Sequence, residues 1–159
     1  MSKPNILHGR VDNRLMHGQV GGAWVRYLGT NLVLVADDEV AEDAFQQSLM
    51  QMVADSVGSV QMRFFTIAKT IDVIWKAAPS QKIFIVTRSP KEMRALIDGN
   101  VPIPIVNLGN IHAAKGKKKM PFGNCYLDEQ DIADLAAIKE KGISIYFQTT
   151  PYSSQRHDY

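Results

Sequence analysis

Residues 31–36, NLVLVA, form the clearest β-strand pattern in the sequence. The run is continuously apolar and contains β-branched valines, which is typical of a strand buried on both faces. Such strands occur in parallel sheets, because crossover helices cover both sides of the sheet. The stretch therefore predicts an internal strand of a parallel sheet.

Strand-like and helix-like segments alternate regularly around this strand. The predicted strands are residues 5–11, 31–36, 60–65, 82–87, 103–108 and 143–148. The predicted helices are residues 19–28, 42–55, 66–78, 89–99 and 127–142. This alternation predicts an α/β fold, a single-domain, doubly wound, mostly parallel open β-sheet flanked by helices on both faces. One domain is expected over residues 1–159, with about 152–159 as a polar tail in which His157 is disordered.

Local signals place the helix ends and the core-facing stripes. Gly29 is expected to end the first helix, Ser89 and Glu92 to form a capping box, and Asp128 to cap the last helix. Two apolar stripes are expected to face the core: Phe45, Leu49, Met52 and Val53, and Ile67, Ile71, Ile74 and Ala78.

Composition narrows the class of protein. With 18 Lys+Arg and 16 Asp+Glu the net charge is +2, which gives no indication of a nucleic-acid partner. The lysine-rich run at 115–119 is interpreted either as a solvated loop or as a patch that steers an acidic partner. The single cysteine, Cys125, excludes an internal disulfide and a Zn–Cys cluster, and is expected to be buried. No signal peptide or membrane-length apolar run is found, so a cytoplasmic protein that does not span the membrane is expected.

The predicted sheet indicates where a ligand would bind. In open α/β sheets, ligands lie beyond the carboxyl ends of the strands. The loops there are expected to bring together polar side chains from distant parts of the chain, among them those of Asp12, Asn13, Arg14, His17, Asp37, Asp38, Thr87, Arg88, Asn107, Asn110 and His112.

The first of these loops, in RVDNRLMHGQV (10–20), has the parts of a phosphohistidine site. His17 is a competent nucleophile for a phosphoryl group, Arg14 can pair with phosphate oxygens, and a helix N-terminus follows. In the alternative interpretation, His17 only caps or packs, and Arg14 pairs with Asp12. Arg10 is open to a salt bridge with Asp12 or Asp37, or to a phosphate contact.

Several other groups have competing interpretations. A carboxylate of Asp37 or Asp38 could fix the tautomer of a histidine, or Asp38 could cap a helix. His8 is expected to be a hydrogen-bonded structural histidine. The histidines do not show metal-ligand spacing, so no metal or other cofactor is expected. The sequence also contains no nucleotide-binding loop, nucleophile elbow or zincin motif, so a phosphate site would need a phosphoryl source other than a bound nucleotide.

Three segments, RVDNRLMHGQV, VADDEVAEDAFQQSLM and VNLGNIHAAKGKKK, together resemble enzyme IIB of the mannose/sorbose-type sugar phosphotransferase system. The resemblance covers essentially the whole chain, and the first segment is highly specific. It implies an α/β doubly wound domain in which His17 takes a phosphoryl group from a phosphohistidine of the IIA protein. The group then passes to a sugar imported by the membrane IIC and IID subunits, with which a peripheral association is expected.

The resemblance also assigns roles to residues. It implies phosphorylation of His17 through Nδ1 with support from Arg14, and a loop shaped by Arg10 and Asp12, with Asn13, Gly18 and Gln19 in the same segment. Asn107, Gly109, Asn110 and His112 match a motif expected to line the site. Asp37 replaces a frequent asparagine, and Arg10 or Arg88 would have to compensate its charge. The overall sequence most resembles the N-acetylgalactosamine/galactosamine branch of this IIB family.

Two other functions fit the same residues. One is a non-catalytic module that binds a phosphorylated metabolite at the same strand edge. The other is a metal-independent hydrolase that uses His17 as nucleophile or base.

Overall fold

A mostly parallel sheet forms the centre of the protein, as the alternation of segments predicts. The structure, a computed structural model, describes residues 2–159. Five parallel strands follow one another across the sheet in the order β3-β2-β4-β1-β5. Their bounds are β1 Ile6–Asp12, β2 Leu32–Ala36, β3 Gln61–Phe65, β4 Ile83–Thr87 and β5 Ile105–Ile111.

Four shorter strands complete the sheet beside β5. Two of them, β7 and β8, pair in parallel with different stretches of β5, while β6 and β9 add antiparallel pairs to β7 and β8. Their bounds are β6 Lys118–Lys119, β7 Asn124–Leu127, β8 Ser144–Phe147 and β9 His157–Asp158. The expectation of a disordered His157 is wrong, because this residue pairs with Phe147 and stacks on the ring of Phe122 at 3.8 Å.

Five α-helices cover both faces of the sheet. Their bounds are α1 Gly18–Leu28, α2 Ala44–Val57, α3 Ile67–Val73, α4 Pro90–Asp98 and α5 Glu129–Glu140. Helices α1 and α2 pack against each other, as do α3 with α4 and α4 with α5. Two separate hydrophobic cores result, one around Trp24 and Phe84 and the other around Met93 and Leu108. Within residues 2–159, no helix is long and apolar enough to cross a membrane.

The helix ends follow the sequence signals with one exception. Gly29 ends α1 in the left-handed conformation, and Asp128 caps α5 in a capping box with Asp131. The capping box predicted for α4 is wrong: the Ser89 hydroxyl donates to the Glu92 carboxylate instead of accepting from the backbone.

The predicted core faces of two helices are partly wrong. In α2, Phe45 and Met52 are 69% and 66% exposed, whereas Met50 and Ala54 are buried. This helix carries apolar side chains on two faces, so periodicity could not show which face packs on the sheet. Helix α3 ends at Val73 in a 3₁₀ turn, which leaves Ala78 exposed, while Ile74 is buried as predicted.

Candidate functional site

The loop between β1 and α1 is anchored from below by apolar side chains. Leu15 and Met16 are each 3% exposed, and the Leu15 N–H donates to the Asp12 carbonyl at 2.8 Å. Leu15 has φ 58°, a conformation unusual for a side chain of this size, and its burial stabilises the strained turn. The loop is thereby held in one shape, with Arg14 exposed and His17 half-buried above it.

His17 is the N-cap of α1, which begins at Gly18, one residue before the predicted start. Its carbonyl accepts the N–H of Gly21 at 3.1 Å, and its side chain makes no capping hydrogen bond. The imidazole therefore adjoins the unpaired N–H groups and the positive end of the helix dipole. Both favour an anion at this position.

The surroundings of the imidazole favour its neutral form. Burial lowers the pKa of His17, the Arg14 and Arg10 guanidinium groups act in the same direction, and the Asp12 carboxylate opposes them. Nδ1 is buried and has no hydrogen-bond partner within residues 2–159. A neutral imidazole has a nitrogen lone pair available for attack on phosphorus.

Asp12 connects the two arginines of the loop segment. One of its oxygens, Oδ1, accepts the Arg14 N–H at 2.9 Å and lies 3.6 Å from Arg14 Nε, while Oδ2 lies 3.1 Å from an Arg10 terminal nitrogen. The pairing of Arg14 with Asp12 is therefore present, but Asp12 is buried rather than on the surface. The Arg14 side chain is 39% exposed, so its outer nitrogens can reach a ligand.

Arg10 is an internal residue. It is 3% exposed and bonds Asp12, the Asn107 side chain and the carbonyls of Gln148 and Thr149. Of the open interpretations, the salt bridge to Asp12 is the one the structure shows, and a phosphate contact of Arg10 is wrong.

The two aspartates after β2 have structural partners. Asp37 accepts two hydrogen bonds from Arg88, at 2.9 and 3.0 Å, and the N–H of Val40 at 3.0 Å. Asp38 accepts the N–H of Ile67, the first residue of α3, from outside that helix. The N-cap of α2 is Asp43 and that of α3 is Thr66, so the interpretation of Asp38 as a helix cap is wrong. The hypothesis that either carboxylate fixes a histidine tautomer is wrong. Arg88 compensates the charge of Asp37, as one alternative required.

A polar crevice of about 260 Å³ lies between the loops that follow β1, β2 and β4. We call it the arginine crevice because Arg14 and Arg88 both line it. It is also lined by Asn13, Glu39, Asp43 and Gln46. The sequence analysis does not single out the last three: Glu39 closely follows a predicted strand, which is a usable signal, whereas Asp43 and Gln46 lie at the start of a predicted helix. The crevice lies beyond the carboxyl ends of the strands, where the fold predicts a ligand.

The β5 residues are placed differently from the expectation. Asn107 and Gly109 lie within the strand, beneath the surface, with the Arg10 guanidinium against both. Asn107 and Thr87 are fully buried, so the prediction that they line the site is wrong. The Asn110 carbonyl accepts the N–H of Asn13 at 3.0 Å and so ties β5 to the His17 loop, and His112 is exposed just after β5.

Fold and site together define the class: a mostly parallel α/β domain that presents a histidine at a helix N-terminus beside an exposed arginine. Within residues 2–159 no cluster of three or more His, Cys, Asp or Glu is placed to hold a metal ion.

Comparison with known proteins gives the family. A family model described as PTS system sorbose subfamily IIB component matches residues 6–158. The N-acetylgalactosamine-specific phosphotransferase enzyme IIB component 1 of Escherichia coli (strain K12) is 48% identical over 151 residues, or 95% of this chain and 94% of that protein. The chain belongs to the sorbose-type IIB family of the sugar phosphotransferase system, and it is a phosphotransferase that carries phosphoryl groups in sugar transport.

Solved structures agree with this assignment. The crystal structure of the N-acetylgalactosamine-specific IIB component 1 from Escherichia coli has a TM-score of 0.92 and 46% identity, covering 98% of this chain and 99% of that one. An N-acetylgalactosamine IIB component from Streptococcus pyogenes has a TM-score of 0.91 and 41% identity, covering 100% and 96%.

Proposed function

We propose that His17 is the phosphoryl carrier, and that it accepts the group from a phosphohistidine of the IIA protein. The observation that carries this proposal is the half-buried imidazole at the N-terminus of α1, next to the exposed Arg14 guanidinium, in surroundings that lower the pKa of His17. A nitrogen lone pair of His17 attacks phosphorus, the phosphorus–nitrogen bond of the donor breaks, and the donor imidazole keeps that electron pair. In the second step a sugar hydroxyl attacks phosphorus, the His17–phosphorus bond breaks, and the hydroxyl proton leaves to the released imidazole.

Charge neutralisation and positioning supply the catalysis. Phosphoryl transfer spreads negative charge over the equatorial oxygens, and little covalent chemistry is left for the protein. Arg14 is free to pair with those oxygens, whereas Arg88 is already bonded by Asp37 and contributes less. Because Nδ1 is buried, transfer through that nitrogen requires the imidazole to turn toward solvent.

We infer that the sugar is N-acetylgalactosamine or a related amino sugar, which reaches His17 from membrane IIC and IID subunits at the cytoplasmic face of the membrane. The support is the specificity named for the E. coli and S. pyogenes relatives. Growth of a strain lacking this gene on N-acetylgalactosamine, galactosamine and mannose tests the sugar. Loss of growth on mannose alone would contradict it.

The exposed apolar face of α2 supports a docking site for IIA. Leu49 and Met52 on this face line an open groove between α1 and α2 whose other wall includes Gly18 and Gln19, the residues next to His17. A protein that brings phosphohistidine to His17 along α1 would cover this groove. Exposed apolar side chains grouped in this way mark interaction surfaces.

The docking site is tested by Leu49→Glu. We expect a higher KM for phospho-IIA and an unchanged kcat, while Ala78→Glu, an exposed apolar position before β4 at the opposite end of the sheet, changes neither. An unchanged KM together with slower transfer to sugar would place the membrane subunits on this face and overturn the assignment.

The carrier role is tested by incubation with phosphoenolpyruvate and the upstream proteins of the relay. We expect one acid-labile phosphoryl group per chain, absent from His17→Ala, and nitrogen-15 NMR of the labelled imidazole identifies the phosphorylated nitrogen. No label, or label that survives His17→Ala, would contradict the proposal. A metabolite-binding module would take no label, and a hydrolase would release phosphate without a sugar.

A further inference from the structure

The guanidinium of Arg10 lies directly against the backbone of Gly109. A Cβ added at Gly109 would overlap Cζ and both terminal nitrogens of Arg10, far inside van der Waals contact. Gly109 lies within β5 and is not among the residues with positive φ in the described chain, so its backbone suits any residue. Space for Arg10 is therefore the reason that this position requires glycine.

Arg10 is held in that space from several sides. Asn107 and the carbonyls of Gln148 and Thr149 accept its hydrogen bonds, the last two at 3.3 and 3.1 Å. The ring of Trp24 lies 5.1 Å from its Cζ. These partners come from β5, from the segment after β8 and from α1. The guanidinium therefore has one place to lie, and that place passes over Gly109.

Arg10 in turn fixes Asp12, and Asp12 fixes Arg14. Asp12 is fully buried, so its orientation depends on its partners rather than on solvent. Oδ2 is held by Arg10 at 3.1 Å, which directs Oδ1 toward the Arg14 N–H at 2.9 Å and Nε at 3.6 Å. A displaced Arg10 would turn this carboxylate and release both contacts. The first turn of the His17 loop would then lose its anchor.

We propose that Gly109 is a positioning residue for phosphoryl transfer: the absence of a side chain there keeps Arg10 and Asp12 in place, and these hold Arg14 beside His17. Gly109 itself touches neither the phosphoryl group nor His17. The inference rests on the carrier role proposed for His17 and Arg14.

The test is Gly109→Ala, assayed by transfer from phospho-IIA. We expect kcat to fall by about 10- to 100-fold with KM for phospho-IIA unchanged, because a shift of about 1 Å in a positioning group has an effect of this size while the docking face is untouched. Arg10→Lys should slow transfer as well, since a lysine cannot hold Asp12 and Thr149 together. When Gly109→Ala is already present, Arg10→Lys should cause no further loss, because its slimmer head group relieves the overlap.

The matched control is Gly99→Ala. A Cβ at Gly99, the residue after the C-terminus of α4, would lie 2.5 Å from Ile71 Cδ1, a comparable overlap, so this variant should lose stability and keep its kcat. If Gly109→Ala does not fold, the double variant with Arg10→Lys should fold and transfer at the rate of Arg10→Lys alone. A normal kcat in Gly109→Ala, an equal loss in Gly99→Ala, or independent effects of the two substitutions would overturn the proposal. Failure to label the wild-type protein would instead refute the carrier role.

Discussion

The half-buried histidine of β1, His8, should make the protein sensitive to mild acid. His8 packs against Trp24, and its Nε2 lies 2.6 Å from the Tyr146 hydroxyl, so the structural role predicted for it is confirmed. Burial lowers the pKa of His8 from 6.5 to about 4, and the charges of Arg156 and Arg10 act in the same direction. The perturbation is acidification from pH 7 to pH 4.5 with and without His8→Gln, which removes the titrating group.

Proton binding by His8 determines the sign and size of the change in the free energy of unfolding. A histidine whose pKa is lower in the folded than in the unfolded chain binds protons better when unfolded, so stability is lost as the pH falls below 6.5. With a folded pKa of about 4 and an unfolded pKa of about 6.5, the loss between pH 7 and pH 4.5 is about 2 kcal/mol. That is a large part of the total stability of a domain of this size.

Urea unfolding followed by circular dichroism measures this loss. Between pH 7 and pH 4.5 the wild-type free energy of unfolding should fall by about 2 kcal/mol more than that of His8→Gln, because carboxylates and other histidines titrate equally in both proteins. Tyr146→Phe is the matched control, since it removes the hydroxyl partner, leaves His8 buried and should retain the acid sensitivity. Equal pH dependence of wild type and His8→Gln would refute the reasoning.

Three further results are expected. Arg14→Gln should slow transfer at least about tenfold without loss of stability, because an exposed loop charge contributes little packing. It should also move the acid limb of the pH–rate profile to higher pH, since Arg14 lowers the pKa of His17. An unmoved acid limb would contradict this. Cys125 should resist iodoacetamide at pH 8 in the folded protein and react in urea, because burial raises the pKa of its thiol to about 12; labelling of the folded chain would contradict its burial. Reversal of Lys115 and Lys118 to glutamate should slow transfer from IIA at low salt, and unchanged rates would exclude these lysines from docking.

The sequence predicted those parts of the fold that depend on neighbouring residues. Leu32–Ala36 is a strand because its side chains are apolar throughout, and Gly29 and Asp128 end or begin helices through their own backbone and side chain. The two-residue strands Lys118–Lys119 and His157–Asp158 are polar and exist only through pairing with β7 and β8. Pairing of that kind depends on residues far apart in sequence, and no local pattern indicates it.

For the candidate site, the sequence predicted which loops come together but not how deeply each residue is buried. The ends of parallel strands predicted that Asn13, Arg14 and Arg88 meet, and they line one crevice. The same rule could not distinguish residues that line the crevice from residues buried beneath it. Thr87 and Asn107 were therefore expected to line the site, although both are fully buried. Depth depends on how far each strand extends, and β5 extends to Ile111, beyond the end predicted from its sequence.

The contact of Asp12 with Arg14 explains why the Arg10–Asp12 ion pair is buried beneath the loop. A buried pair such as Arg10–Asp12 adds little net stability, because the loss of hydration offsets most of the attraction between the charges. A hydrophobic pair of similar volume would serve the core as well, but it could not accept a hydrogen bond from Arg14. The same carboxylate raises the pKa of His17 while Arg14 lowers it, and burial decides the balance in favour of the neutral imidazole. A carrier that receives and releases the same group needs this balance, since His17 must be a free base in one step and a leaving group in the next.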